Sequence, residues 1–379
     1  MQDKMIPLFK PYIGSDTMKA AVDALELGWL GMGSYVNQFE EELSRFLEIG
    51  GSRKLVAVNT CTSALHLALL IAGVKDGDEV ITPALNNIGD FQAIGMCGAR
   101  PVFCDISEED LGIDPHKIDL VIGPKTKAII VLHYSGIPCR IGDVLDLARK
   151  RGLRVIEDAA HAIGTQINGK RVGSYGDLVC YSFDAIKTLT CIDGGAVVVN
   201  DEEEADSLYP ARLLGMTQSN NQLYSNSRAY KYDVYKQGFR YHLANLHASI
   251  GLSQLQKLPE FIINRQRYCL LYNRLLSECP GIVTPRTSYK DVSPFNYVIR
   301  VLDGKREKLM AYLKEQGIET GIHWMTGNRF TWLKDCRGAD SIPITDRIGC
   351  EIMTLPLWSY METDTIERIA DSIYRFFSL

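Results

Sequence analysis

The sequence predicts an α/β fold: a mostly parallel seven-stranded sheet with helices on both faces, followed by a small C-terminal α+β domain. Three observations predict it. Seven short runs rich in Val and Ile recur through the first two hundred residues and are apolar on both alternations, as strands buried on both faces are. Helix-length amphipathic stretches separate several of them, and the succession strand, helix, strand argues for parallel pairing. After Gly238 the pattern changes to long helical stretches with two strand-like runs.

Each element follows from its residues. The seven runs are KLVAV (54–58), DEVIT (78–82), PVFC (101–104), KAIIVLH (127–133), LRVIE (153–157), DLVCYSF (177–183) and GGAVVVN (194–200). Helical patterns lie at 63–73, 91–98 and 141–152. Residues 243–278 read as one long helix or two consecutive ones, with Pro259 either kinking the first or starting the second. Two strands, NYVIRVL (296–302) and ETGIHW (319–324), flank a helix at 305–316, and a last helix spans 364–377. This places a large ligand-binding domain at 1–250 and a small domain at 251–379. The stretch 217–236, rich in Ser, Asn and Tyr, reads as a long loop, and long loops in compact proteins are often functional. In a parallel sheet, ligands sit at the carboxyl ends of the strands.

Composition narrows the function. The 379 residues carry 41 basic and 46 acidic side chains, a net charge of −5, with no Lys/Arg block to face nucleic acid. The longest apolar runs are too short to span a bilayer, and the opening MQDKMIPLFKPYIGS has no apolar signal core. Ten Cys are present without a C-x-x-C pair, which argues against a zinc site. Several sit inside apolar runs as small hydrophobes, and a reduced, cytoplasmic protein is expected. No G-x-G-x-x-G follows a strand in the first βα turn, so a nicotinamide dehydrogenase is a poor reading.

Three segments carry chemistry. In DLVCYSFDAIKTLTCIDGGAVVVN (177–200), Lys187 lies between two core strands, the first ending in Ser182. A desolvated amine there suits a Schiff base; otherwise Lys187 sits in a surface turn and points to solvent. In LRVIEDAAHAIGT (153–165), a strand ends in Glu157 and Asp158, with His161 three residues on. A carboxylate at that strand end can keep a pyridine nitrogen protonated, as pyridoxal phosphate (PLP) requires; the alternative is that one acid caps a following helix. In VNTCTSALHLALL (58–70), a strand runs into a helix through Thr62 and Ser63, where backbone N–H groups and hydroxyls suit a phosphate or make an ordinary N-cap. Together they put a phosphate site, an acid and a Lys on separate strand ends of one sheet.

With these segments in place, the sequence resembles the PLP-dependent sugar aminotransferases of the DegT/StrS type over nearly the whole chain. The resemblance rests on 6–42, on TCTSALHLAL, GARPVFCDI, VIEDAAHAIGT and YSFDAIKTLTCIDGGAVV, and on 238–258, 317–324 and 354–373. Asp-x-x-His followed by Ser-Phe-x-x-x-Lys and Gly-Gly is its most specific part. It implies a fold type I PLP aminotransferase acting as a homodimer with shared active sites. It implies that Lys187 carries PLP and shuttles protons, Asp158 pairs with the ring nitrogen and His161 lies near the ring. Thr62, Ser63 and Ser182 would hold the phosphate. Three positions depart from the family pattern. Cys61 stands where Gly is frequent. Asn87 occupies the position from which many members stack an aromatic ring on the cofactor. Arg240 stands where Asn is frequent, at the residue that reaches the phosphate of the other subunit's cofactor; an Arg there suits that phosphate or one on the substrate.

The expected reaction moves an amino group from glutamate or glutamine to a keto sugar, with pyridoxamine phosphate formed in the second half-reaction. The resemblance favours a nucleotide-linked 4-keto-6-deoxyhexose. Candidate substrate contacts are His323, Trp324 and Asn86, with the tyrosines of 224–235; each of these has a structural alternative, as an internally bonded His or as subunit contacts. Two rivals share the scaffold. A PLP-dependent sugar dehydratase would, by resemblance, carry His in place of Lys187. A catalytically silent sugar-binding regulator would bind without turnover.

Overall fold

The computed structural model describes residues 5–217 and 220–378; the first four residues of the opening segment, and two of the loop expected at 217–236, lie outside the described residues. Helices α1 (Ser15–Glu26) and α2 (Ser34–Phe46) precede the first strand, β1 (Lys54–Val58). Then come α3 (Cys61–Ile71), β2 (Glu79–Pro83), α4 (Ile88–Met96), β3 (Arg100–Cys104), α5 (Pro115–Val121), β4 (Thr126–Leu132), α6 (Ile141–Arg151) and β5 (Arg154–Asp158). A small hairpin, β6 (Gln166–Ile167) and β7 (Lys170–Arg171), leads to β8 (Leu178–Ser182) and β9 (Gly195–Val199). All seven strand expectations are met within a residue or so.

The sheet order is β1-β9-β8-β5-β4-β2-β3. The pairs β2–β3, β2–β4, β4–β5 and β5–β8 are parallel, and β9 runs antiparallel to both its neighbours. Both faces are covered, which is why the runs are apolar throughout. Leu55 and Ala57 of β1 with Ala196 and Val198 of β9 join one core, with Val36, Phe39 and Leu43 of α2. Val56, Val58, Val197 and Val199 join another on the opposite face, with Leu65, Leu67 and Ala68 of α3. Burying each such Val or Leu stabilises the fold by roughly 1.5–3 kcal/mol.

After β9 come α7 (Glu202–Ala211) and a short α8 (Asn220–Tyr224), which falls inside the stretch expected to be a loop. Its Tyr224 hydroxyl hydrogen-bonds Arg212 and Glu40, which explains the local order. Helix α9 (Asn245–Leu276) then runs as one helix of 32 residues through Pro259, so the second piece does not form. Its early residues Ala248, Leu255 and Leu258 join the core under α2, and its late residues Tyr268, Tyr272 and Leu276 join a separate core. The division expected at residue 250 therefore falls inside this helix.

That separate core lies on a three-stranded antiparallel sheet, β10 (Ile282–Val283), β11 (Tyr297–Val301) and β12 (Ile352–Leu355). Helices α10 (Arg306–Glu315), α11 (Pro343–Glu351) and α12 (Thr363–Ser378) accompany it, and α10 and α12 supply Leu309, Leu313, Ile366 and Ile369. The strand expected at 319–324 is not formed. Its backbone makes a single bridge, Gly321 with Thr354, because β12 takes the place beside β11.

Candidate active site

Strand ends and helix starts converge on a cavity of about 340 Å³. Its walls include Thr60, Cys61 and Thr62 from the start of α3, Asp158 from the end of β5, and Lys187 from the loop between β8 and β9. The location is the one that parallel topology dictates. A second cavity, of about 320 Å³, lies between residues 108–111 and the strands β10 and β11, and holds none of the residues expected from sequence.

The corner at α3 is built for close approach. Thr60 is the N-cap, its Oγ1 accepting from the Ser63 amide at 3.0 Å. The Ala64 amide donates to the Thr60 carbonyl at 3.1 Å. Among the described residues the amides of Cys61 and Thr62 have no such partner, as expected of a helix start able to bind an anion. Gly195 makes room: a Cβ there would lie 2.5 Å from the Thr60 carbonyl oxygen and 2.8 Å from the Cys61 amide nitrogen.

Asp158 and Glu157 point to opposite faces of the sheet, as alternation requires. Both are buried, and no helix follows, so neither is a helix cap. Asp158 Oδ1 accepts from the Ala160 amide at 2.8 Å, while Glu157 Oε2 faces His133 Nε2 at 3.1 Å on the far side. Burial pushes the Asp158 carboxyl up, against the pull of the Ala160 amide and Lys187.

Lys187 does not point to solvent. Its Nζ lies 4.1 Å from the centre of the Phe295 ring. Desolvation pulls the amine down from its ordinary range, partly offset by Asp158. Phe295 also stacks on His161 at 4.4 Å between ring centres. Arg265, buried in α9, donates to the Phe295 carbonyl at 2.7 Å and so fixes this ring from behind. His161 Nδ1 accepts from the Ser135 amide at 3.3 Å, and burial, Lys187 and His323 all hold its ring neutral.

The other expected residues divide into two groups. Thr62, Asn87, Ser182 and Trp324 line the same cavity as Asp158, His161 and Lys187. Asn87 is also the N-cap of α4, accepting from the Gly89 amide at 2.7 Å. Among the described residues, the buried Trp324 Nε1 has no hydrogen-bond partner. Ser63, Asn86, His323 and Arg240 are not among the lining residues. The Ser63 hydroxyl turns back to Asn59 Oδ1 at 2.8 Å. Asn86 lies beneath the floor, its Nδ2 donating to Asp90 at 2.9 Å. His323 Nδ1 meets Thr354 Oγ1 at 2.9 Å. Arg240 is exposed, and its carbonyl receives the Asn59 amide side chain at 3.3 Å. The loop tyrosines Tyr230, Tyr232 and Tyr235 are exposed as well.

This arrangement can be set against known proteins. Residues 11–374 match the DegT/DnrJ/EryC1/StrS aminotransferase family. The chain belongs to that family. It is an enzyme, an aminotransferase. It is 32% identical over 380 residues to the spore coat polysaccharide biosynthesis protein SpsC of Bacillus subtilis (strain 168), covering 98% of this chain and 97% of that one. Among solved structures it superposes on the aminotransferase TlmJ of Streptoalloteichus hindustanus with a TM-score of 0.91 and 30% identity, covering 99% of each chain. PseC of Helicobacter pylori, an aminotransferase involved in the biosynthesis of pseudoaminic acid, gives 0.91 at 25% identity, covering 99% of this chain and 100% of its own. Spr1654 of Streptococcus pneumoniae, solved in a PMP form, gives 0.90 at 25%, covering 98% and 99%.

Sequence reasoning missed three residues that the aminotransferase places here. Thr60 was passed over for its neighbours Thr62 and Ser63, although it is the last extended residue before the helix. Phe295 comes from the far end of the chain and carries no local signal. Asp90, in the first turn of α4, lies three residues after the N-cap Asn87, where an acid ordinarily serves the helix start. It lines the cavity instead, 1% exposed.

Proposed function

We propose that this aminotransferase uses PLP to move an amino group from glutamate or glutamine to a keto sugar, a nucleotide-linked 4-keto-6-deoxyhexose. The observation that carries this reading is the inward Lys187 amine, desolvated over Phe295 in one cavity with Asp158. The residues present fit PLP. The unpartnered amides at the start of α3, with Thr62 and Ser182, suit a phosphate; the orphaned Trp324 Nε1 offers a further buried donor; Asp158 suits a ring nitrogen. The PMP form of Spr1654 supports the same cofactor. SpsC and PseC, by their roles in polysaccharide and pseudoaminic acid biosynthesis, support a sugar acceptor.

When bound, PLP supplies a carbon that carries the amino group and a ring that takes up the electron pair left by a departing proton. The chain does the rest. Lys187 Nζ, its basicity lowered by desolvation, would hold the cofactor and could take up and give back a proton at its own nitrogen. Asp158, anchored by the Ala160 amide, holds a proton on the ring nitrogen. His161, kept neutral and stacked on Phe295, would offer the ring a flat face. Asn87, which lines the cavity, would offer it no aromatic one. His323 positions Trp324 by its bond to Thr354, and Asn86 acts through Asp90.

Exposed Met18, Val22 and Leu25 on α1, with Tyr230, Tyr232 and Tyr235, support a homodimer in which the exposed Arg240 serves the partner's site. Ten free thiols, most of them buried, support a reducing, cytoplasmic setting. No helix among the described residues is long and apolar enough to cross a membrane. A screen of donors against nucleotide-linked keto sugars, following the bleaching and return of the cofactor's visible band, tests the reading. Return of the band in step with an amino sugar supports it; a deoxygenated sugar without amine transfer, or binding without turnover, overturns it.

A further inference from the structure

Asp90 is a second buried carboxyl in the cavity, and the function proposed above gives it no chemistry of its own. Asn86 Nδ2 donates to its Oδ2 at 2.9 Å, and its buried carboxyl lines the same cavity as the buried carboxyl of Asp158, each acting on the other's charge. That pairing has a chemical requirement. Two buried carboxylates in one cavity repel and can only accept, so the pair is relieved when one of them keeps a proton that it can donate to the other. The second cation near the pair, His133, faces Asp158 but is matched by Glu157 Oε2 at 3.1 Å. Lys187 faces both acids, and Cys61 and Cys180 face them as thiols that burial keeps protonated.

The partners decide which acid holds the proton. Asp158 also accepts a backbone amide at 2.8 Å, which favours its anion. Among the described residues, the Asp90 carboxyl accepts from the neutral side-chain amide of Asn86 and from no backbone amide. Burial pushes Asp90 well up, and the neighbouring Asp158 pushes it the same way.

We propose that Asp90 is a proton-bearing positioning residue of the ring-nitrogen site, whose carboxylic acid donates to Asp158 and weakens that carboxylate as a base. This rests on Asp158 as the ring-nitrogen partner. The pair carries one negative charge and one proton, and the donated proton keeps Asp158 ionised while loosening its grip on the ring-nitrogen proton. Asn86 holds Asp90 in place for this.

The full-length chain without cofactor gives the first test. At neutral pH its infrared spectrum should contain a protonated-carboxyl stretch that Asp90→Asn lacks. Stability adds a second sign. A carboxyl raised in the folded state contributes stability below its unfolded pKa and loses it as pH rises through the folded one. The folding constant of the native chain should therefore fall relative to Asp90→Asn by about tenfold per pH unit across that window. Asp90→Thr, which donates but does not titrate, should behave as Asp90→Asn does and serves if the Asn variant fails to fold. With cofactor labelled at the ring nitrogen, Asp90→Ala should move its ¹⁵N resonance toward the protonated position, and Asp90→Asn should leave it. A carboxyl stretch that survives in Asp90→Asn overturns the shared proton, and an unmoved resonance in Asp90→Ala overturns its effect on Asp158. Neither result touches amine transfer, whose absence in the native enzyme would instead overturn the proposed function and leave the infrared result standing.

Discussion

Two regions of the molecule bury charge, and they do so in opposite ways. Under α2, Arg212 donates to Glu40 at 2.6 Å, to the Ala57 carbonyl at 2.6 Å and to the Tyr224 hydroxyl at 2.7 Å. Glu40 in turn accepts the Ala57 amide at 2.7 Å. Opposite charges cancel there in a network that joins α2, β1 and α8, with the buried Arg212 Nε left without a hydrogen-bond partner among the described residues. At the cavity, Asp90, Asp158 and Lys187 stand round an open space with the Trp324 Nε1 unpartnered beside them. Charge that serves the fold is matched by opposite charge. Charge that serves chemistry is left displaced from its ordinary protonation around an open space.

Breaking each region separates the two. Lys187→Ala should lower amine transfer by at least about 10⁴-fold and leave the melting temperature close to the native value. It should also abolish the borohydride-reducible adduct; an adduct that persists would assign the imine to another lysine. Glu40→Ala should do the reverse. It strands a buried guanidinium and should cost about 3–5 kcal/mol in urea unfolding, with turnover per folded molecule retained. Asp158→Asn should cut turnover by about 10²–10³-fold while cofactor content, read by absorbance, falls far less. Near-native turnover would remove Asp158 from the mechanism.

The smallest effect concerns pH. Burial, with Lys187 nearby, holds His323 down to about 4. A depressed His contributes stability that is present above its unfolded pKa of about 6.5 and is lost as pH falls toward 4. The loss is about 1.4 kcal/mol per pH unit at most. His323→Gln should flatten that part of the urea-midpoint profile, and an unchanged slope would show that His323 is not its source.

The large sheet was legible because its strands are buried on both faces, so each stands out as a run with no polar alternation. The C-terminal sheet was less so. Thr320, Ile322 and Trp324 alternate as a strand does, yet their stretch is held by single bridges and side-chain bonds. Strand β12 has four residues pressed between α11 and Pro356, too few to show a period. At the candidate site, Asp158 is readable from its place at a strand end, and Lys187 and His161 from the loops that follow strands. Adjacent pairs were not resolved. Thr62 lines the cavity and Ser63 turns away, because successive helical residues point about 100° apart. Asn87 and Asn86 divide likewise. Asp90 was hidden by looking like a helix-start acid, and Phe295 by distance along the chain.

Helix α9 decides how the molecule comes apart. Its 32 residues make a rod about 48 Å long. One end lends Ala248 and Leu258 to the first core, and the other lends Tyr272 and Leu276 to the last. Neither core is whole without its share of the rod. A nick midway along it would strip both at once, so the two halves melt together rather than in turn.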